Sequence, residues 1–320
     1  MKVLITGANG YIGARLCQFL SNKGHQIIAA CKSPVSNKIG WSDKINNIII
    51  GDLLIDEHIN ELLETKPDIL IHLVSLDQKS SENSIEKTLD VNVKITWKLL
   101  ENFSKQRLKK FIYFSTIQVN NLLNKKRRKI NKYGDKNHYA LTHLMCESIC
   151  KYYNNFTKIN CVCIRLSNSY GEPVFDNSKI WKLVINDLVR TAHLENKILI
   201  ESDGSPVRIF IHFSEICEGI EKIIQGDKEQ FKDFISLVPN NYYSILEIAK
   251  IIQTVYKNLY GFDLPIFTNK NKKYLEEKEV TSLKNNKNFV NKTISRKESD
   301  EKLKKEIENL FYYLSNQNKQ

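Results

Sequence analysis

Lys2-Val3-Leu4-Ile5-Thr6-Gly7-Ala8-Asn9-Gly10-Tyr11-Ile12-Gly13 opens the chain, and its reading decides the fold. Val3 to Ile5 is a short apolar run of buried-strand type. It breaks at Gly7 and passes into an amphipathic pattern, Ile12, Leu16, Phe19 and Leu20, that predicts a helix ending near Gly24. Glycines 7, 10 and 13 fall in the turn between the two. Gly7 permits a tight turn, Gly10 lets backbone N–H groups approach a phosphate, and Gly13 lets the helix pack closely on the strand. The amino end of a helix carries unpaired N–H donors and about half a positive charge, so a pyrophosphate is the natural occupant. Strand, turn and helix together point to a dinucleotide site.

At 320 residues the chain can bury a full core and hold one large or two modest domains. It has no run of 18 apolar residues, and its first strand starts too early for a signal peptide. No membrane span and a cytoplasmic location are therefore expected. The seven cysteines (17, 31, 146, 150, 161, 163 and 217) are odd in number and scattered through apolar segments. Cys161 and Cys163 would share a strand face, and Cys146 and Cys150 a helix face, from which a metal site can be drawn. Small buried thiols in a reducing compartment are the favoured reading, with no metal. The net charge of +12 follows from lysine spread along the whole chain and favours anionic ligands such as phosphates. No recognised nucleic-acid-binding module is present, which speaks against a nucleic-acid partner.

Further short apolar runs follow at 26–31, 48–53, 69–73, 110–115 and 160–165, separated by helical patterns that include 84–104 and 139–153. This alternation predicts an α/β fold, a Rossmann-type doubly wound parallel sheet with right-handed connections. Ligands of such a sheet sit at the carboxyl ends of its strands. The turn at Gly7–Gly13, Asp52, Leu73–Ser75 and Thr116 thus share one rim. The second strand ends Cys31-Lys32-Ser33, without the acid that takes the ribose hydroxyls in NAD-selective sites. Lys32 could instead hold a 2′-phosphate, which favours NADP over NAD, or it is a solvated loop residue. Asp52 could accept from an adenine amino group or cap its own turn. After Gly171 the alternation is less regular, with helices near 180–194, 214–224, 244–259 and 299–314 and a Lys/Asn-rich loop over 270–297. The expected division is a dinucleotide-binding domain, 1–168, interleaved with a smaller α/β substrate-binding region, 169–320.

Taken in order, Thr6-Gly7-Ala8-Asn9-Gly10-Tyr11-Ile12-Gly13, Gly51-Asp52-Leu53, His72-Leu73, Asn92-Val93, Ser115-Thr116, Tyr139, Arg165 with Asn168-Ser169-Tyr170-Gly171, and Arg208 with Phe210-Ile211-His212 form one pattern. From residue 1 to about 225 the chain resembles the extended short-chain dehydrogenase/reductase family, in its NAD-dependent epimerase/dehydratase group acting on nucleotide sugars. The resemblance implies NAD or NADP held by Gly7, Asn9, Gly10, Tyr11, Ile12, Gly13, Lys32, Asp52, Leu53, Leu73, Val74, Ser75, Asn92, Tyr139 and His143. It implies a nucleotide sugar met by Thr116, Gln118, Asn168 and Arg208, the last through a guanidinium fork on the diphosphate. Thr116 would hydrogen-bond the substrate oxygen, and Tyr139 would pass the proton as hydride moves. One tyrosine serves as acid and base if its pKa lies near the working pH, and a free phenol, at about 10, needs a nearby cation for that.

The family places a lysine four residues after this tyrosine; here the position is His143. The readings that follow are a working epimerase or keto-sugar reductase with catalytic Thr116, Tyr139 and His143, and a catalytically impaired cofactor-binding scaffold or sensor. Relatives that eliminate water carry Asp-Glu where this chain has Ile117-Gln118, neither able to move a proton, which speaks against dehydration. Asn120-Asn121 replaces the family's usual Tyr-Gly. The basic run Lys125–Lys129 reads as a solvated loop near the site mouth, or as an attractor of anionic substrate. The resemblance also implies a homodimer pairing through helices around 92–104 and 139–153.

Overall fold

Strands covered on both faces need no polar alternation, and the short apolar runs of the first half accordingly become parallel strands. The computed structural model describes residues 1–35, 40–123, 137–175, 180–227, 234–239, 241–269 and 295–317. In order come β1 (Lys2–Thr6), α1 (Tyr11–Asn22), β2 (Gln26–Cys31), β3 (Asn47–Ile50), α2 (Asp56–Glu64), β4 (Ile69–His72), α3 (Gln78–Asn83) and α4 (Ile85–Thr88). A π-helical stretch, Leu89–Lys94, leads into α5 (Ile95–Phe103), followed by β5 (Lys110–Thr116), α6 (Val119–Leu123), α7 (His138–Phe156) and β6 (Asn160–Leu166). Much later the chain adds β7 (Phe234–Leu237). The sheet order is β7-β6-β5-β4-β1-β2-β3, parallel throughout. Strand progression reverses between β1 and β4, so their carboxyl ends form the switch-point crevice of a doubly wound sheet.

Two compact units divide the chain. The first contains Met1–Leu166 and takes back Cys217–Leu237. Its core packs Leu4, Ile28, Leu70, Phe111 and Tyr113 of the sheet against Leu99, Leu100 and Phe103 of α5 and Cys146, Ile149 and Tyr153 of α7. Truncating a buried aromatic such as Phe103 or Phe111 costs about 3–5 kcal/mol in such a core. Lys110 is buried, and its ammonium donates to the carbonyls of Ile223, Ile224 and Gly226. It thereby closes the carboxyl end of the helix Phe213–Gln225, where a cation also complements the helix dipole. All seven cysteines are free and buried. Desolvation pushes the thiols of Cys31 and Cys146 up to about 11. Among the described residues no group of three or more His, Cys, Asp or Glu side chains is placed to hold a metal ion.

The second unit contains Ser167–Ile216 and most of the chain from Val238 onward. Its sheets are two-stranded: Asn168–Tyr170 with Phe210–His212, Ile198–Ile200 with Ile266–Thr268, and Val207–Arg208 with Tyr243–Ser244. The helix Ile245–Tyr260 begins in a capping box between Ser244 and Glu247 and ends at Gly261, whose φ of 85° suits only glycine well. The last helix, Arg296–Gln317, buries Leu303, Ile307, Leu310 and Phe311. Among the described residues no helix is long and apolar enough to cross a membrane.

Several boundaries differ from the sequence expectation. The run 48–53 stops pairing at Ile50, because Asp52 turns the chain by accepting from the Leu54 amide. The helix expected over 84–104 is not uniform but widens at Leu89–Lys94, and a separate helix, α3, precedes it. The strand β7 carried no motif. The basic run at 125–129 and the stretch 270–294 lie outside the described residues.

Candidate active site

The turn from β1 to α1 is built as the glycine spacing requires. Gly7 takes φ +71°, and the amides of Gly7 and Ala8 both donate to the Ala30 carbonyl, at 3.0 and 3.2 Å. A Cβ on Gly13 would stand 2.2 Å from the Gly7 carbonyl oxygen, so no side chain fits there. The Asn9 backbone amide donates to the Cys31 thiol, tying the turn to β2. Helix α1 starts at Tyr11 with no side-chain cap and no acid in its first turn. First-turn amides have no intrahelical acceptor, so Ile12 and Gly13 offer the donors that a pyrophosphate fits. Leu73 and Val74, in the loop after β4, lie against Gly7 and wall this turn on one side. Leu53 is buried in the core.

Lys32 Nζ lies 2.7 Å from Asp52 Oδ2, and this ammonium holds the Asp52 carboxyl below the usual carboxylate range. The two residues join the ends of β2 and β3. The Lys32 side chain is 72% exposed, so the pair is worth less than about 1 kcal/mol.

Strand and helix periods bring the polar residues of β5 and α7 into register. Tyr113 and Ser115, two apart on β5, meet His143 and Glu147, four apart on α7. The Tyr113 hydroxyl lies 2.7 Å from His143 Nδ1, and Ser75 Oγ lies 3.2 Å from His143 Nε2. His143 is buried, and desolvation holds it down to about 3, so the imidazole is neutral. Tyr139, one turn earlier, sets its ring edge-on to His143 with centroids 4.4 Å apart. Burial of the phenol pushes Tyr139 up to about 12, the negative charge of Asp77 adds to this, and the Thr116 hydroxyl opposes it through a hydrogen bond. Tyr139, His143 and Thr116 therefore meet, with Ser75 on the far side of the imidazole.

Asn92 acts at one remove. It is 1% exposed; its Oδ1 accepts from the Leu76 amide at 2.9 Å and its Nδ2 donates to Thr142 Oγ1 at 3.1 Å. Through these bonds Asn92 ties the Leu73–Asp77 loop to α7. The π-helical widening that carries it is a feature found at functional sites. Gln118 is also occupied. Its Oε1 accepts from Asn137 Nδ2 at 2.7 Å, and Asn137 Oδ1 caps α7 through the Ala140 amide. Asp77 caps α3 through the Ser80 amide.

One turn beyond His143, Arg165 and Glu147 form a buried two-pronged ion pair, Nε–Oε1 2.9 Å and Nη2–Oε2 2.6 Å. Ser115 donates to the same carboxylate, Asn120 Oδ1 accepts from Arg165 Nη1 at 2.6 Å, and the guanidinium lies 3.7 Å above the Phe234 ring. Asn120 is thus part of the guanidinium's cage. Asn168 and Arg208 belong to the second unit, where Asn168 Nδ2 donates to the Ile209 carbonyl and Arg208 Nη1 to the Val207 carbonyl. Sequence reading missed Tyr113, Asp77, Asn137 and the Glu147–Arg165 pair. Matching the two-residue period of β5 to the four-residue period of α7 would have found Tyr113 and Glu147.

Residues 3–235 match the profile of the NAD dependent epimerase/dehydratase family. The dTDP-D-glucose 4,6-dehydratase of Dictyostelium discoideum is 27% identical over 277 residues, 78% of this chain and 61% of that protein, so the chain spans about three fifths of its length. An uncharacterized UDP-glucose epimerase of Bacillus subtilis (strain 168) is 25% identical over 272 residues, 80% of this chain and 82% of its own. Among solved structures, the UDP-glucuronic acid 4-epimerase of Bacillus cereus, in complex with UDP-glucuronic acid and NAD, superposes with a TM-score of 0.71 at 21% identity, over 99% of both chains. The profile covers well over half of the sequence, and the chain belongs to the NAD dependent epimerase/dehydratase family.

Proposed function

We propose that this chain reduces or oxidises a ring carbon of a nucleotide sugar, with Tyr139 passing the proton and Thr116 holding the reacting oxygen. The observation that carries this reading is the half-buried Tyr139 phenol hydrogen-bonded by Thr116 at the carboxyl end of β5. NAD, when bound, supplies the hydride acceptor, and NADH the donor. The Gly7–Gly13 turn would hold its pyrophosphate, Lys32 and Asp52 its adenosine end, and Leu73–Ser75 with Tyr139 and His143 its nicotinamide end. Because Lys32 is already engaged by Asp52, we assign NAD rather than the NADP that Lys32 alone suggested.

Protonation favours reduction. With Tyr139 near 12 and a neutral neighbour at 143, the phenol keeps its proton at ordinary pH and serves as general acid to a ketone oxygen. Epimerisation needs the same residue as a base in its first half-reaction and is the slower use of this site. Dehydration is disfavoured, because Ile117 is buried and the Gln118 amide holds Asn137. Asn168 and Arg208 are the substrate contacts we assign to the second unit. Leu141, Met145, Tyr152 and Phe156 expose one apolar stripe of α7, and Trp97 is exposed on α5, which supports pairing of two copies through these helices.

The test is purified protein with NADH and a panel of UDP-, GDP-, CDP- and dTDP-linked keto sugars, followed by absorbance and product analysis. Turnover with one of them is expected. Tight NADH binding without turnover on any would favour the second reading, a cofactor-binding scaffold, for which the missing cation at 143 is the specific support.

A further inference from the structure

We propose that Tyr113 is a positioning residue whose hydroxyl donates to His143 Nδ1, fixing the imidazole as the Nε2–H tautomer with its N–H turned toward Ser75. The inference rests on the reading that His143 stands beside the proton-passing Tyr139. It concerns only what holds the imidazole there.

Three neighbouring bonds set the polarity. The Ser75 hydroxyl donates to the Leu76 carbonyl at 3.0 Å, and a carbonyl can only accept. Ser75 Oγ, its proton spent, faces His143 Nε2 at 3.2 Å as an acceptor, so Nε2 carries the hydrogen. Nδ1 is then a lone pair, and the phenol 2.7 Å from it is the donor. A phenol is a better donor than acceptor and imidazole nitrogen a strong acceptor, which matches the short distance. The proton run reads Tyr113 to His143 to Ser75 to Leu76, each group giving in one direction. The opposite tautomer would set a ring lone pair against Ser75 and deprive the Leu76 carbonyl of its donor.

Among the described residues no other group facing the imidazole takes this role. Tyr139 presents its ring edge; Cys146 also lies within hydrogen-bond reach of the Tyr113 hydroxyl, but its own proton goes to the Asn92 carbonyl at 3.2 Å and its sulfur is a weaker acceptor for the phenol than Nδ1. His72 lies behind Tyr113, centroids 6.0 Å apart, with its own nitrogens on Thr6 and Thr96. Glu147 is engaged by Arg165 and Ser115, and Asp77 acts on Tyr139. Tyr113 therefore gives a neutral histidine the property a ribose hydroxyl can use from the Ser75 side, a fixed hydrogen-bond donor.

The test is ¹⁵N NMR of histidine-labelled, cofactor-free full-length protein, with the His143 signals among the seven histidines assigned from a His143→Gln variant. Expected are one protonated nitrogen, Nε2, and one bare nitrogen, Nδ1, unchanged between about pH 5 and 8, where a free histidine titrates. Tyr113→Phe keeps the ring but should let the two tautomers mix and raise the Kd for NADH several-fold. Ser75→Ala should leave the Nε2–H signature in place. Nδ1–H in the wild type, or an unchanged Nε2–H signature in Tyr113→Phe, overturns the proposal. If Tyr113→Phe does not fold, Ser75→Ala decides alone, because loss of the signature there would make Ser75 the residue that sets it. None of these spectra depends on turnover, so a failed assay on sugars leaves the tautomer result standing.

Discussion

Two polar clusters lie one helical turn apart where α7 packs on β5, and they solve burial in opposite ways. At His143 the chain buries a neutral imidazole between two hydroxyls. At Glu147 it buries full charge, and there every prong of the Arg165 fork has an acceptor: two carboxylate oxygens and Asn120. Charge enters this interface only where a complete partner set exists, because an unpaired buried ion is far more costly than a neutral group. The consequence is that, among the described residues, the guanidinium packed at this interface is already neutralised by Glu147, and nothing cationic faces Tyr139 from position 143. The phenol therefore keeps its proton at ordinary pH.

Breaking the charged cluster should have the larger effect. Arg165→Met strands the Glu147 carboxylate and should lower unfolding free energy by about 3–5 kcal/mol in denaturant titration. Replacing both partners by apolar residues should cost much less. The neutral cluster should show itself in acid. His143 and His72 are both held down to about 3, against an ordinary value near 6.5. Between those values the unfolded chain binds protons that the folded chain refuses, so stability is intact above about 6.5 and falls as pH drops toward 3. Each histidine contributes a slope of about 1.4 kcal/mol per pH unit. His143→Gln should remove one of the two contributions, read as a shallower fall in stability across that window.

His143→Lys converts the neutral cluster into a cationic one. A positive charge favours phenolate, so the Tyr139 pKa should fall from about 12 by roughly 1–3 units and the optimum for alcohol oxidation should move to lower pH. A pH–rate profile unmoved by this change would mean that the phenol does not feel position 143. The smallest effect is expected at the exposed Lys32–Asp52 pair. Asp52→Asn frees the ammonium and should shift preference toward NADP by a few fold, in keeping with a surface pair worth about 0.2–1 kcal/mol. Unchanged ratios of Kd for NADH and NADPH would remove Lys32 from the adenosine end.

The parts of this protein legible in its sequence are those fixed by local geometry. Gly7 and Gly13 stand where only glycine fits, and the apolar runs of β1, β2, β4, β5 and β6 alternate with helices as a parallel sheet demands. What stayed hidden depends on contacts far apart in the chain. β7 joins the sheet from residue 234 and carries the ring beneath Arg165. The role of Asn92 needed the π-helical widening, which no residue pattern announced. The ion pair of Lys32 was hidden because its partner, Asp52, comes twenty residues later, just beyond the end of β3. His143 was visible as a departure, yet its neutrality follows from its burial in the fold, between the hydroxyls of Tyr113 and Ser75.

Deuteride transfer tests the central claim most directly. Protein is incubated with NADH labelled at the transferable hydrogen and a nucleotide-linked keto sugar, and deuterium in the sugar ring is read by mass spectrometry for the wild type and for Tyr139→Phe. Label in the ring with the wild type, slowed on the order of 10²–10⁴-fold in Tyr139→Phe at unchanged cofactor affinity, is the predicted result. Equal transfer by both proteins would contradict the assignment of the proton to Tyr139.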